Sequence, residues 1–432
     1  MPKTRRRWPL PLAAAAGAPG AYAGLADYTG LPTFELPPFL AAGLFGAAIV
    51  GAAFLLSWAA EAAEVDVSAG VALAFLAFLA VLPEYAVDFV FTVRAGQTNC
   101  APANGENPCE LALANMTGAN RVLVGIGWPL VVLVAAFVAR RKPAKARDEP
   151  SIPAPGHVKL DRPMSIEVVF LAAATLYSLT LPLRTSLTLV DAAVLLAIFG
   201  LYAWRLTKAP VEEPDLDGTA AWIAEHDRRV RRLWLAGLFL AAAAVIVLTA
   251  EHFADAVVHS GEQLNIDRFL LVQWAAPVAS EAPELIVACL YAWRLRASHA
   301  LGTLLSSKVN QWTLLVGTIP IVFAVSSASL HGLPLSEHQR YELLLTAAQS
   351  LFAVSLLANL RLSLWGAAAL LTLFAVQFAT SILLSDAANR VVILALSGVY
   401  LLSAMALLMA QQRQARTVTK DGLSSVWVTS SG

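Results

Sequence analysis

A chain of 432 residues that is 58% hydrophobic and only 14% charged, with a mean hydropathy of +0.65, lies outside the range of water-soluble domains. Its 30 basic and 30 acidic residues cancel to a formal charge of zero, which leaves no basic surplus for nucleic acid, and its three cysteines are too few for a disulfide scaffold. The remaining class is an all-α polytopic membrane protein, here with about 11 (10–12) transmembrane helices.

Residues 1–38 open with Arg5-Arg6-Arg7 and continue as an Ala/Pro/Gly-rich stretch, which is a weak helix, a signal-like segment or a tail. The first clear span runs from Phe39 to Ala60 and is closed by Glu61, Glu64 and Asp66. A second span, near 68–93, contains Leu82-Pro83-Glu84 and Asp88; Glu84 and Asp88 stand four apart and share a helix face. A polar loop between Cys100 and Cys109 follows, and then a span near 110–139 carries Asn115, Thr117, Gly118, Asn120 and Arg121 and stops at Arg140-Arg141-Lys142. Beyond a Pro- and charge-rich linker over 140–163, spans near 164–181 and 186–206 complete a first repeat that occupies 39–206.

The connector 207–232 is acidic at its start, ends in Arg228-Arg229-Val230-Arg231-Arg232 and has room for a short amphipathic helix. The second repeat, 233–384, begins with a span near 233–258 whose far end bears Glu251, His252, Asp255 and His259. Its next span, near 269–293, contains Ser280-Glu281-Ala282-Pro283-Glu284 and the third cysteine, Cys289. The span after that, near 300–325, contains Thr303, Ser306, Ser307, Lys308, Asn310 and Gln311. Apolar spans near 341–360 and 364–384 precede a C-terminal segment, 385–432, made of one extra helix and a tail.

Counting alternately from a cytoplasmic Arg140 end puts the basic segments 140–162, 205–232, 294–296, Arg361 and 413–420 inside. Only Arg94, Arg184, Arg268, Arg340 and Arg390 are left outside, so the protein is expected in the plasma (cytoplasmic) membrane with a cytoplasmic C-terminus. Cys100 and Cys109 are either two thiols or a small disulfide; an outer-face loop favours the disulfide.

The halves superimpose around their Pro-Glu pairs: Leu82-Pro83-Glu84 matches Ala282-Pro283-Glu284, and Ala112–Asn120 aligns without gaps on Ala300–Lys308. The first pair lies on a span running outward and the second on one running inward, so the repeats are inverted. Proline and glutamate inside an apolar span free backbone carbonyls and place a carboxylate where lipid tolerates none. Inverted repeats with such interrupted helices carry their substrate site at the repeat interface.

These two motifs resemble those of the cation/calcium exchanger superfamily, whose repeats each carry a Gly-Thr/Ser-Ser-x-Pro-Glu signature and a downstream Gly-Ser-Asn/Asp signature. The resemblance implies an exchanger in which Glu84 and Glu284 bind the transported cation, Na+, Ca2+ or H+, while facing either side in turn. The family's downstream Asn or Asp corresponds to Asn120 in the first repeat and Lys308 in the second. The first repeat has Ala80 and Val81 where the family has hydroxyls, and the second has Ser280 and Glu281.

The expected cation ligands are therefore Glu84, Glu284, Glu281, Ser280, Asn120, Asn115, Thr303 and Ser307, with Lys308, Asp88 and Arg121 as charge partners or proton-coupling groups. Lys308 either pairs with Glu281, deprotonates when the cation binds, or replaces an ion; Arg121 is expected to pair with Asp88 or Glu84. The function these residues suggest is a secondary active cation antiporter, exchanging sodium or calcium for protons by alternating access. A sodium/calcium exchanger proper and a degenerate exchanger retained as a sensor or scaffold are the alternatives. No zinc-protease His-Glu-x-x-His or serine-hydrolase elbow is present, so no enzyme is expected. No cofactor is expected either; the partners are inorganic cations and the lipid bilayer, with the oligomeric state open.

Overall fold

The computed structural model describes residues 6–32, 36–63, 65–66, 82–101, 107–141, 156–208, 216, 218–265, 271, 274, 277, 281, 284–285, 288–289, 291–293 and 295–424. Over these residues the chain is helical apart from four strands of two or three residues. The first half contains α1 (Pro9–Thr29), α2 (Pro38–Ala63), α3 (Leu82–Thr98), α4 (Pro108–Val122), α5 (Trp128–Arg141), α6 (Ser165–Ser178) and α7 (Leu189–Leu206). After a connector helix, α8 (Gly218–Ala224), the second half contains α9 (Arg228–Gln263), α10 (Ala297–Asn310), α11 (Val316–Ser326), α12 (Glu337–Leu356), α13 (Leu364–Leu383), α14 (Asp386–Ala410) and α15 (Gln412–Leu423). Among the described residues, 8 helical stretches are long and apolar enough to cross a membrane. Such helices bond their backbone polar groups internally, as hydrocarbon requires.

Two sets of contacts sort the helix ends into two faces. On one face β1 (His157–Lys159) pairs antiparallel with β4 (Arg361–Ser363), the Ser298 hydroxyl donates to Asp161 at 2.7 Å, and Arg205 donates to the Gly422 carbonyl at 3.0 Å. On the other, β2 (Ser186–Leu187) pairs with β3 (Leu333–Pro334), Gln339 donates to the Cys109 carbonyl at 2.6 Å, and Arg340 donates to that of Pro182 at 2.7 Å. This grouping follows the alternation read from the basic residues. The strands were not foreseen, because they lie in the Pro-rich linker and at a span end, where pairing partners far apart in sequence decide the structure.

The Ala/Pro/Gly-rich amino end forms α1, with Pro9 at its first position, where a missing N–H leaves nothing unbonded. Its small residues let α1 lie close against α2 and α9. A Cβ at Gly24 would stand 1.9 Å from the Leu248 carbonyl oxygen, and one at Gly51 would stand 2.6 Å from that of Ala13. Thr219 donates to Arg6 at one end of α1, and Tyr28 donates to Glu251 at the other, so α1 runs alongside α9 from the connector towards the opposite face. Helix α9 begins at Arg228, inside the expected connector, because Arg231 donates two hydrogen bonds of 2.8 and 2.9 Å to Asp66 at the end of α2.

Between α4 and α5 lies a π-helical turn, Leu123–Gly127, and between α10 and α11 lies another, Gln311–Leu315. The separation of 188 residues between Asn120 and Lys308 also carries the first π-turn onto the second, residue for residue. A π-turn is rare and recurs at functional sites. Its presence at the same register in both halves ties the sequence repeat to a shared backbone device.

Candidate cation site

Glu84 stands in the first turn of α3 beside Pro83, and its side chain is 1% exposed. One turn on, Asp88 accepts a hydrogen bond of 2.7 Å from the Asn115 amide of α4. Asp88 is thus held by the first repeat itself through the Asn115 N–H, while the Asn115 Oδ1 and the Asp88 Oδ2 make no hydrogen bond with any described residue. Thr117, behind it, donates to the Leu113 and Ala114 carbonyls of its own helix.

From the second repeat, Glu281 and Glu284 lie in helical backbone, and both Glu284 carboxylate oxygens are out of contact with solvent. Glu84, Glu281 and Glu284 are within electrostatic range of one another, so the two Pro-Glu motifs converge. Gln311, the first residue of the second π-turn, donates to Glu281. Ser307 lies beside Glu284, while the buried Asn310 amide makes no hydrogen bond with any described residue. Ser280 lies outside the described residues, and Pro283 with it.

Lys308 is fully buried, and its ammonium donates to both the side-chain and the backbone oxygen of Asn120, at 2.6 and 2.9 Å. These are the two residues that the repeats place in equivalent positions, so they meet across the axis relating the halves. Lys308 also lies over the Trp312 ring at 5.0 Å, a favourable site for a cation. The direct Glu281–Lys308 bridge is therefore not formed: the carboxylate takes Gln311 and the ammonium takes Asn120, although the two charges remain in electrostatic range.

Three other expectations are corrected. Arg121 pairs with neither Asp88 nor Glu84; its guanidinium bridges to Glu342 of α12, donates to the Thr117 carbonyl at 3.1 Å and lies 5.1 Å from the Trp274 ring. Thr303 donates to the His299 carbonyl of its own helix at 2.9 Å, on a part-exposed face one turn from Ser307, and stays outside the cluster. The carboxylates' environment includes Gln311, which the ligand expectation omitted; its signal was its position just after the Lys308 motif. Glu342 was missed because it opens a span that otherwise reads as apolar.

Away from the site, Cys100 and Cys109 form a disulfide, and the Asn107 side chain accepts from the Cys109 N–H at 3.0 Å to cap α4. The bridge thus fastens Cys100 to the first turn of the helix that bears Asn115 and Asn120.

The chain has relatives among known proteins. Residues 38–208 and 234–383 match the family model described as sodium/calcium exchanger protein. The structure resembles the crystal structure of the H+/Ca2+ exchanger CAX with a TM-score of 0.83 and 38% sequence identity, covering 96% of this chain and 98% of that one. The sodium-calcium exchanger NCX_Mj, soaked with Na+ and Sr2+, matches with a TM-score of 0.52 at 16% identity, covering 79% of this chain and 99% of the other, which is a likeness of fold. A comparison with curated proteins finds no match. The paired Pro-Glu motifs, their convergence and the matched family model lead to one conclusion: the chain belongs to the sodium/calcium exchanger family.

Proposed function

We propose that the protein is a cation/proton antiporter, with calcium as its first candidate cation, working by alternating access around Glu84, Glu281 and Glu284. The observation that carries this reading is the convergence of buried carboxylates from both repeats. Three carboxylates from two repeats share a buried cluster, whereas the fixed cation beside them, Lys308, is tied to Asn120, and Arg121 is taken by Glu342. Carboxylates cannot stay ionised together away from water unless something neutralises them. A bound cation does so in one state and protons in the other, so the two ligands compete for the same oxygens and exchange follows.

The donor set suits a hard cation. Calcium takes six to eight oxygens, and the three carboxylates with the Ser307 hydroxyl are donors of that kind. Lys308 acts in this reading as a tethered cation that occupies one position for a mobile ion and fixes the charge of the empty site. The likeness along nearly the whole chain to a protein described as an H+/Ca2+ exchanger supports protons as the counter-ion. Basic segments gathered on the face of β1 and β4 support its assignment to the cytoplasm.

Reconstituted into vesicles with a pH dye inside, the protein should move protons when an opposing calcium gradient is applied. Glu84→Gln and Glu284→Gln should each abolish the signal while the protein still inserts and folds. Full activity in both variants would contradict the assignment.

A further inference from the structure

A further buried carboxylate packs against α10, the helix that bears Ser307 and Lys308, and is used by none of the contacts of the cation site. Glu167, in the first turn of α6, is 4% exposed, and its Oε2 makes no hydrogen bond with any described residue. Helix α6 packs against α10 so closely that a Cβ on Gly302 would stand 2.7 Å from the Met164 Cε. One turn further along both helices, the Glu167 carboxylate meets the Ser306 hydroxyl of α10. The fully buried Tyr202 of α7 stands beside them.

Ser306 and Ser307 are consecutive, so their side chains leave α10 about 100° apart. Ser306 turns to Glu167 and Ser307 to Glu284. The same turn of α10 thus presents a hydroxyl to each of two buried carboxylates at one depth. Glu167 lies on the side nearer the face of β1 and β4, since α6 starts just after the Asp161–Ser298 contact on that face.

We propose that Glu167 is the group through which the cation site exchanges protons with the face that bears β1 and β4. The proposal rests on the reading of Glu284 as a carboxyl that gives up its proton to an arriving cation. The O–H bond of Glu284 breaks and its proton passes to the Ser307 hydroxyl, which releases its own to a water molecule that the proposal requires to bridge the two serines. That water gives a proton to Ser306, and Ser306 gives its own to Glu167, where a new carboxyl O–H bond forms. One proton leaves one carboxyl and arrives on another, and no electrons are exchanged. Glu167 then releases it to solvent at its own face.

The groups around Glu167 do not supply an alternative. Tyr202 is the titratable group that faces it from α7, and α10 presents Ser306. At the helix ends nearby, Arg162 is paired with Asp421 of α15 at 2.8 Å, and Arg205 of α7 donates to the Gly422 carbonyl.

The test compares two readouts on the full chain in vesicles: equilibrium binding of radioactive calcium, and the initial rate of calcium-driven proton movement from pH 5.5 to 8.5. Glu167→Gln should bind calcium within about twofold of the parent yet move protons roughly tenfold or more slowly with a flattened pH profile. Glu167→Asp should recover part of the rate, and Ser306→Ala should slow it without removing a charge. A parental rate and pH profile in Glu167→Gln, or in Ser306→Ala should the first variant not fold, would overturn the proposal. Loss of calcium binding in a folded Glu167→Gln would overturn it too, because Glu167 would then be a ligand. Glu284→Gln separates the two levels: if it keeps calcium binding, the reading of the cation site fails whatever Glu167 does.

Discussion

Leu123–Gly127 and Gln311–Leu315 are the same π-turn at the same register of two repeats, yet the first is built from leucine, valine, isoleucine and glycine and the second opens with Gln311 and contains Thr313. The contrast extends outward from these turns. In the first repeat the amides and the guanidinium are tied to other charges: the Asn115 N–H holds Asp88, Asn120 accepts from Lys308, and Arg121 is bound to Glu342. In the second, Asn310 makes no hydrogen bond with a described residue, and Ser307 and Gln311 face Glu284 and Glu281. A shared backbone has thus been given unequal chemistry.

The largest expected effect comes from removing a glutamate that both repeats supply. Glu84→Gln or Glu284→Gln should lower calcium-driven proton movement by about a hundredfold or more, measured as initial rates in vesicles. If only the second repeat mattered, Glu84→Gln would stay near the parental rate, and the comparison would break there.

Next in size is the buried pair between Arg121 and Glu342, which ties α4 to α12. Removing one partner leaves a buried charge and should cost about 3–5 kcal/mol. Glu342→Gln should therefore lower the thermal unfolding midpoint in detergent far more than the double change Arg121→Met with Glu342→Leu. Equal losses in both would show that the pair carries no penalty when broken.

Lys308 and Asn120 allow a sharper test, because they touch at equivalent positions. Exchanging them, Asn120→Lys with Lys308→Asn, keeps one ammonium and one amide on the axis and should retain folding and measurable exchange. Lys308→Asn alone removes the tethered cation and should raise the number of charges moved per calcium, read with a potential-sensitive dye. An unchanged charge ratio in the single variant would remove Lys308 from the ion-binding account.

Much of this site was legible before any coordinates. The match of Ala112–Asn120 with Ala300–Lys308 brought Asn120 and Lys308 together, and the Pro-Glu pairs pointed to Glu84 and Glu284, because repeated motifs report on internal symmetry and buried carboxylates stand out in apolar spans. What escaped depends on neighbours remote in sequence. Glu342 and Glu167 sit near span ends, where a charge ordinarily meets water, and each is buried by helices from elsewhere in the chain. The hydroxyl of Thr303 looked like a ligand but bonds its own helix, a use open to any threonine in a membrane helix. The amino end read as weak because of its glycines, and those glycines are what let α1 approach α9.

The smallest effect lies outside the spans. The Arg231 guanidinium beside Asp66 holds its carboxyl below the usual carboxylate range, with Arg232 and Arg228 adding to the effect. A depressed folded-state value means the stabilisation is present above the unfolded value, near 4, and is lost as pH falls through the folded one. Asp66→Asn should cost about 1.5–3 kcal/mol at pH 7 and little at the acid limit, measured by thermal unfolding. A loss independent of pH would assign the effect to packing between α2 and α9.

The central claim is that cation and proton compete for carboxylates contributed by both repeats, and its most direct measurement is equilibrium calcium binding to the purified protein as a function of pH. Binding should weaken steadily as pH falls, with about one or more protons released for each calcium bound at neutral pH. Glu84→Gln and Glu284→Gln should each weaken the binding and reduce that proton release. Calcium affinity that does not change with pH, in a parent protein that binds calcium through these glutamates, would contradict proton-coupled exchange.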